Sequence, residues 1–289
     1  MTFTNIKFTK MHGLGNDFII FDYLDNKQNI ISEEWSNFAR SICCRGFGIG
    51  ADGIVILSGE SENPSMTIFN PDGSEAEMCG NAVRCVAKYI QEMGKTNQEN
   101  LSIHTKAGTK NLSLTLKDNQ VTSICVNMGK PILDSNLIPV KGKSRKVIRE
   151  QIDTPVGKIT FTSVSMGNPH TVVFTDSEHE QLVTEIGPYL EKHTYFSSGT
   201  NVEFVTVKSV SEIVVSVWER SVGRTYACGT GACAALVAAV INNYTYPEVK
   251  VELPGGNLNI KWNRDSDNCV YMAGEAQFVY SGTLLMPFQ

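Results

Sequence analysis

The chain has 289 residues, 42% hydrophobic and 19% charged, with 25 Lys and Arg against 30 Asp and Glu for a formal charge of −5. It is too apolar for a disordered polypeptide and too acidic overall for a protein wrapped in nucleic acid phosphate, and at about 150 residues per domain its length suits two domains. The longest apolar run, Ala232 to Ile241, falls short of the about 20 residues that span a bilayer. The opening MTFTNIKFTKM has no apolar stretch of the secretory kind, so a cytoplasmic location is expected, with the eight cysteines as thiols rather than a disulfide framework.

Phe3, Ile6, Phe8 and Met11 open an extended segment, which the turn-prone HGLGND interrupts before FIIFDY resumes as a second strand. Trp35, Phe38, Ala39 and Ile42 follow at helical spacing, behind a cap and acidic first turn at Ser32, Glu33 and Glu34. The glycine-rich GFGIGADG then marks a loop, and IVIL and MTIF are short strands closed by an NPDG turn. CGNAVRCVAKYIQEM, from Cys79 to Met93, is a mostly buried helix with Gly94 as its stop. SIHT, LSLTL and SICVNM alternate as strands up to Met128. Residues 130 to 150 lack a dominant period and look like a domain connection, which sets the boundary near Gly129.

The second half repeats the plan. Strands around SVSMGNPHTVVF precede a helix near Glu178 to Glu191, then NVEFVTVK, EIVVSVWER and a buried helix in CGTGACAALVAAVINN. MHGLGND is echoed by SMGNPH, and MCGNAVRC by ACGTGAC about half the chain later, the mark of an old internal duplication. VKVEL, LNIKW, VYMAG and QFVYSG finish the molecule as strands.

Cys79 and Cys228 each precede Gly and a small polar residue where an apolar helix begins. The free amides and dipole of a helix start favour an anion, so this position both lowers a thiol pKa and binds a carboxylate. For a lone cysteine a small buried hydrophobe is the simpler account; two matched helix starts weigh against it. Zinc binding and a redox dithiol are the competing readings, and the absence of CxxC and HExxH argues against both. Cys85, Cys233, Cys43, Cys44, Cys125 and Cys269 read as packing residues. The GxGxxG spacing of a dinucleotide loop is not met by GFGIGADG, which is better taken as a tight loop at a site wall. His12 and His170 sit in loops beside Gly-Asn pairs; Asn16, Asn70, Asn81, Asn168 and Asn201 lie in turns or at strand ends, where Asx-turns explain any one of them. Glu219 and Arg220 end a strand shortly before Cys228, and an arginine there can hold a carboxylate through two parallel hydrogen bonds.

Together KMHGLGNDF, GIGADG, FNPDGSEAEMCGNAVRC, SMGNPHTV, TNVEF and WERSVGRTYACGTGACA resemble the diaminopimelate epimerase family over nearly the whole chain. The resemblance implies an α/β (α+β) fold of two pseudo-symmetric halves, each a mixed, mostly antiparallel sheet curled around a central helix. The halves would be residues 1–128 with 276–289, and 129–275. It implies a cofactor-independent isomerase that interconverts LL- and meso-diaminopimelate in lysine and peptidoglycan synthesis. No metal, nucleic acid or membrane partner follows from it, and a homodimer does. Cys79 and Cys228 would be the acid/base pair acting on opposite faces of the substrate, with His170 and Glu219 setting their protonation. Asn16, Asn70, Asn168, Asn201, Glu219 and Arg220 would hold the non-reacting end; Gly80 and Asn81, with Gly229 and Thr230, would hold the reacting carboxylate. Ser221 and Arg224 depart from a common ERGxGxT, Gly53 stands where some relatives carry a polar contact, and Glu275 replaces a frequent proline, all of which bear on substrate choice. A racemase of another amino acid on the same two-cysteine scaffold is the enzyme alternative.

Overall fold

In a computed structural model residues 3–25, 32–177 and 179–287 are described. The chain divides into two compact units, Met1–Val126 with Gly274–Gln289, and Asn127–Ala273. Strands dominate both units, with few helices, and most strand pairs are antiparallel.

The first unit opens with β1 (Phe3–Gly13) and β2 (Asn16–Asp22), then α1 (Ser32–Ile42), β3 (Gly53–Glu60), β4 (Asn63–Phe69) and the short β5 (Glu75–Ala76). It continues through α2 (Gly80–Glu92), β6 (Asn100–Thr105), β7 (Gly108–Lys117) and β8 (Gln120–Asn127). Parallel neighbours need a crossover, and the two parallel pairs, β2 with β3 and β4 with β6, are bridged by α1 and α2. The central strands are covered on both faces, so FIIF and IVIL are continuous apolar runs rather than alternating ones. Ile19, Phe21, Ile54 and Ile56 meet Ala39 and Ile42 of α1, where Trp35 and Phe38 stack edge-on with each other and Phe38 with Phe21. α2 packs against β1, β2 and β7 and is buried from Gly80 through Ile90. Gly94, at φ +67°, ends the helix in the left-handed region that costs glycine nothing.

The second unit follows with β9 (Glu150–Thr154), β10 (Gly157–Ser165), β11 (Pro169–Phe174), α3 (His179–Glu185), α4 (Gly187–Glu191), β12 (Asn201–Ser209), β13 (Glu212–Glu219) and β14 (Gly223–Thr225). It closes with α5 (Gly229–Ile241), β15 (Glu248–Leu253), β16 (Gly256–Trp262) and β17 (Val270–Gly274). Across this sheet the order is β9, β10, β11, β12, β13, β15, β16, β17, with β14 beside β15 on β13 and parallel pairs at β11–β12 and β13–β15. α5 lies against β10, β11, β12, β15 and β16; its run of Ala, Val and Leu is apolar all round because every face is covered.

The last strand, β18 (Gln277–Pro287), pairs antiparallel with β1 and so stands in the first unit where β9 stands in the second. With that substitution the two units match strand for strand: β18, β1, β2, β3, β4, β6, β7, β8. Even β5 and β14 correspond, each lying just before the crossover helix that begins after Cys79 or Cys228. The duplication read from two short echoes is therefore a repeat of whole topology.

Two expectations are corrected. The single helix expected near residues 178–191 is two short ones, because Gly187-Pro188 interrupts the ladder and places Pro in the first turn of α4; Glu178 lies outside the described residues. Residues 130–150 are not a bare connection. Ile138, Val140 and Val147 are buried with Phe161, Phe196 and Leu190, held by bridges such as Ile132 to Ser165 and Val140 to Phe196. Their apolar side chains are spaced by turns, which hides the period.

Candidate functional site

In the first unit Cys79 is the N-cap of α2, with extended φ −138° and ψ 122°, and its carbonyl accepts the first helical bond from Val83 N at 3.0 Å. The amides of the first helical turn have no partner inside the helix and face the same end as the thiol. Cys79 Sγ lies 3.6 Å from Asn16 Oδ1, and Asn81 Nδ2 donates to the same oxygen at 3.0 Å. Asn16 Nδ2 donates to Asp52 Oδ2 at 2.9 Å, so its amide is held with the oxygen toward Cys79. Behind these, the fully buried Arg84 donates to Asn81 Oδ1 at 2.7 Å and to Gly80 O at 3.2 Å.

The loop GFGIGADG fastens this arrangement. Arg45 reaches Asp17 at 2.6 Å and Asp52 at 2.9 Å, Asp17 also pairs with Lys10 at 2.8 Å, and Lys10 bonds the carbonyl of Gly50. Burial alone would raise Asp17; hydrogen bonds from Arg45 and Lys10 more than offset it and hold the carboxyl at about 2. Asn70 lies in the NPDG turn, where its side chain donates to Ser74 Oγ at 3.0 Å, and His12 Nδ1 accepts from Gly15 N at 3.3 Å.

In the second unit Cys228 is the N-cap of α5, again extended at φ −115° and ψ 112°, with its carbonyl accepting from Ala232 N at 2.9 Å. Its sulfur accepts from Gly231 N at 3.4 Å and lies 3.5 Å from Thr230 Oγ1. The expectation that a helix start lowers the thiol pKa fails here. Burial and the charges of Glu219 and Glu203 push Cys228 well above its ordinary value, outweighing the Thr230 and Gly231 contacts. Glu219 is itself raised, chiefly by desolvation, although Thr225 Oγ1 donates to it at 2.6 Å.

His170 is fully buried, with Nδ1 2.6 Å from Glu203 Oε1 and Nε2 2.9 Å from Asn168 Oδ1. Asn168 Nδ2 in turn donates to Thr230 Oγ1 at 3.3 Å. Asn201 donates to Pro169 O at 2.9 Å and accepts from the backbone amide of Arg220 at 2.9 Å, while Arg220 Nη1 donates to Ser198 O at 2.8 Å. Asn16 and Asn81 thus gather at Cys79, and Thr230 and Glu219 at Cys228, with Asn168 bonded behind Thr230 and His170 behind Asn168; Asn70 and Arg220 bond elsewhere.

Sequence reasoning passed over Asp52, Arg84 and Glu203. A charge inside a fully buried element was the available signal: Glu203 sits in the run NVEFV, buried at every position, and Arg84 on a helix with no exposed face in its first turns. The packing reading holds for Cys85 and Cys43, buried and pushed up to about 12 by desolvation. Arg224 pairs with Glu180 on the exposed surface, and a Cβ on Gly53 would meet Phe69 O at 2.9 Å, a packing reason for that glycine. Among the described residues no group of three or more His, Cys, Asp and Glu could hold a metal ion, and no helix is long and apolar enough to cross a membrane.

The family model for diaminopimelate epimerase matches residues 8–133 and 162–279. The chain is 44% identical to a diaminopimelate epimerase of Desulfitobacterium hafniense, covering 97% of this chain and 98% of that one. It is 46% identical to one of Pelotomaculum thermopropionicum, covering 95% and 97%. Among solved structures, a probable proline racemase from Agrobacterium radiobacter K84 with bound carbonate superposes with a TM-score of 0.70 over 96% of this chain and 92% of that chain; at 15% identity it speaks for the fold alone.

Proposed function

The chain belongs to the diaminopimelate epimerase family, and we propose that it interconverts LL- and meso-diaminopimelate, without a cofactor, for lysine and peptidoglycan precursor synthesis. Cys79 and Cys228 are the two acid/base groups. The observation that supports this reading is their equivalence: each is the extended N-cap of the second crossover helix of its unit, followed by glycine.

Inverting an α-carbon removes a weakly acidic proton from one face and supplies one to the other. A thiolate takes the Cα proton, the electron pair spreads into the adjoining carboxylate, and a thiol on the opposite face delivers its own proton to carbon. The two sulfurs exchange protonation states in each turnover, so the same pair runs the reverse reaction. Cys228, held protonated by burial, Glu219 and Glu203, enters as the donor. Charge gathering on the substrate carboxylate is met by the helix-start amides of Gly80, Asn81, Gly229 and Thr230, which need no reorganisation as the charge develops. The distal amino acid group is bound by Asn16, Asn70, Asn168, Asn201, Glu219 and Arg220, with Asn201 also fixing the backbone at Arg220. His170 acts on the cysteines through its neighbours. The enzyme works in the cytoplasm as a homodimer, which sedimentation of the purified protein checks.

Incubation with LL-diaminopimelate in D2O tests the reading: meso product should accumulate with deuterium at the inverted carbon. Cys79→Ala and Cys228→Ala should each abolish this while leaving the protein folded. Full turnover in either variant defeats the two-thiol assignment. Deuterium entering a different amino acid in preference identifies a racemase on the same scaffold.

A further inference from the structure

Four hydrogen-bonding contacts join Glu203 to Cys228. Glu203 Oε1 meets His170 Nδ1 at 2.6 Å, His170 Nε2 meets Asn168 Oδ1 at 2.9 Å, Asn168 Nδ2 donates to Thr230 Oγ1 at 3.3 Å, and Thr230 Oγ1 lies 3.5 Å from Cys228 Sγ. The first two residues are fully buried, so water does not substitute for any partner there. The imidazole lies between a carboxylate oxygen of Glu203 and the amide oxygen of Asn168. The Asn168 amide has its oxygen toward His170 and its NH2 toward Thr230. Thr230, accepting from Asn168, has its single hydroxyl hydrogen left for the Cys228 sulfur.

Two further observations mark Glu203 as built for this place. Its second oxygen, Oε2, is buried without a hydrogen-bond partner, a costly state for a carboxylate in a run of apolar strand residues. A Cβ on Gly231 would lie 2.7 Å from Glu203 Oε1 and 3.3 Å from Cys228 Sγ, so the glycine in the first turn of α5 leaves room for the carboxylate beside the thiol.

We propose that Glu203 is a positioning residue for Cys228: by accepting from His170 it orients Asn168, and through Asn168 it turns the Thr230 hydroxyl to donate to the sulfur. The chain of bonds stands on geometry alone; its catalytic use rests on the proposed epimerase function. The titratable groups facing Cys228 are Glu203 on β12 and Glu219 on β13, with His170 of β11 behind them. A simple field effect of Glu203 would oppose the thiolate; the bonded chain favours it. The two have opposite signs.

The test measures alkylation of Cys228 by iodoacetamide across pH 6 to 10, following the Cys228 peptide by mass spectrometry, together with deuterium incorporation into diaminopimelate. Glutamine at 203 holds the His170 ring less firmly than a carboxylate, so Asn168 is free to turn. Losing one donor to a thiolate is about one pH unit, so Glu203→Gln should slow alkylation below its midpoint by about tenfold and lower turnover comparably. In a Thr230→Val background the same substitution should change either rate by less than about twofold, because the last link is already gone. Equal losses in both backgrounds, faster alkylation in Glu203→Gln, or no change at all would overturn the proposal. Should Glu203→Gln not fold, Thr230→Val against Thr230→Ser decides: only valine should slow Cys228, and equal behaviour of the two overturns it. Alkylation needs no substrate, so absence of deuterium in diaminopimelate would count against the enzymatic reading without touching the bonded chain.

Discussion

Asp52 Oδ2 accepts from Asn16 Nδ2 at 2.9 Å while Asn81 Nδ2 donates to Asn16 Oδ1 at 3.0 Å, and these two bonds together set which end of the Asn16 amide Cys79 meets. Without fixed partners an asparagine amide turns about its last torsion with little cost, and the Asp52 carboxylate supplies the charged one of the two. The carboxylate also accepts from the amide of Asp17 at 3.0 Å, which pins it from behind.

Asp52→Asn should therefore lower deuterium incorporation into diaminopimelate by about tenfold, the cost of one charge-assisted bond, with little change in thermal stability. The introduced amide can offer either of its ends to Asn16, which leaves the bond from Asn81 to hold the orientation without it. Incorporation equal to that of the unaltered protein would remove Asp52 from the account.

Asp17 predicts an acid limb in stability. Its folded carboxyl is held at about 2, below the unfolded value of about 3.9. A depressed carboxyl stabilises the fold above the unfolded pKa, and the contribution is lost as pH falls through the folded one. Urea midpoints should thus decline between pH 4 and pH 2 by an amount missing in Asp17→Asn, which starts lower because Lys10 and Arg45 lose their partner. Parallel declines in the two proteins would contradict this.

Gly231→Ala tests the crowding at the start of α5. The added methyl would stand 2.7 Å from a carboxylate oxygen that is itself held by His170, so the strain falls on a buried pair rather than on a mobile side chain. A loss of about 1 to 3 kcal/mol in unfolding free energy is expected, the usual cost of overpacking. A melt unchanged from the parent would show that Glu203 has room to move.

Ser221 sits at φ +65°, in the left-handed region, with its amide bonded to Glu191 Oε1 at 2.9 Å. A glycine here would avoid the steric cost of a Cβ in that conformation. Ser221→Gly should stabilise the protein by about 0.5 to 1 kcal/mol, read from urea denaturation, since relief of the left-handed strain exceeds the added backbone entropy. Destabilisation would show that the serine hydroxyl matters more than its backbone.

The two helix-capping cysteines were legible in the sequence because both their position and their surroundings leave a local pattern: a short Cys-Gly segment, then apolar residues on every turn. The strands were legible for the same reason. Asp52 left no such pattern, since what defines it is Asn16, 36 residues away, and the charge of Glu203 in an apolar run does not name its partner His170, 33 residues away. The Cys228 thiol was misjudged on local grounds too. The helix start acts over one turn, whereas the burial and the two carboxylates that outweigh it arrive from strands β12 and β13. The irregular segment 130–150 hid its core residues because Ile138, Val140 and Val147 follow no repeat that a strand or helix would impose.

The exchange of β18 for β9 has a consequence for how the chain is made. The second unit draws all its strands from one unbroken stretch, and can complete its sheet while translation continues. The first unit, though synthesised earlier, waits with the outer side of β1 unpaired until β18 has emerged. During that interval β1 offers a row of open backbone donors and acceptors to any passing strand, and only the arrival of β18 closes that edge.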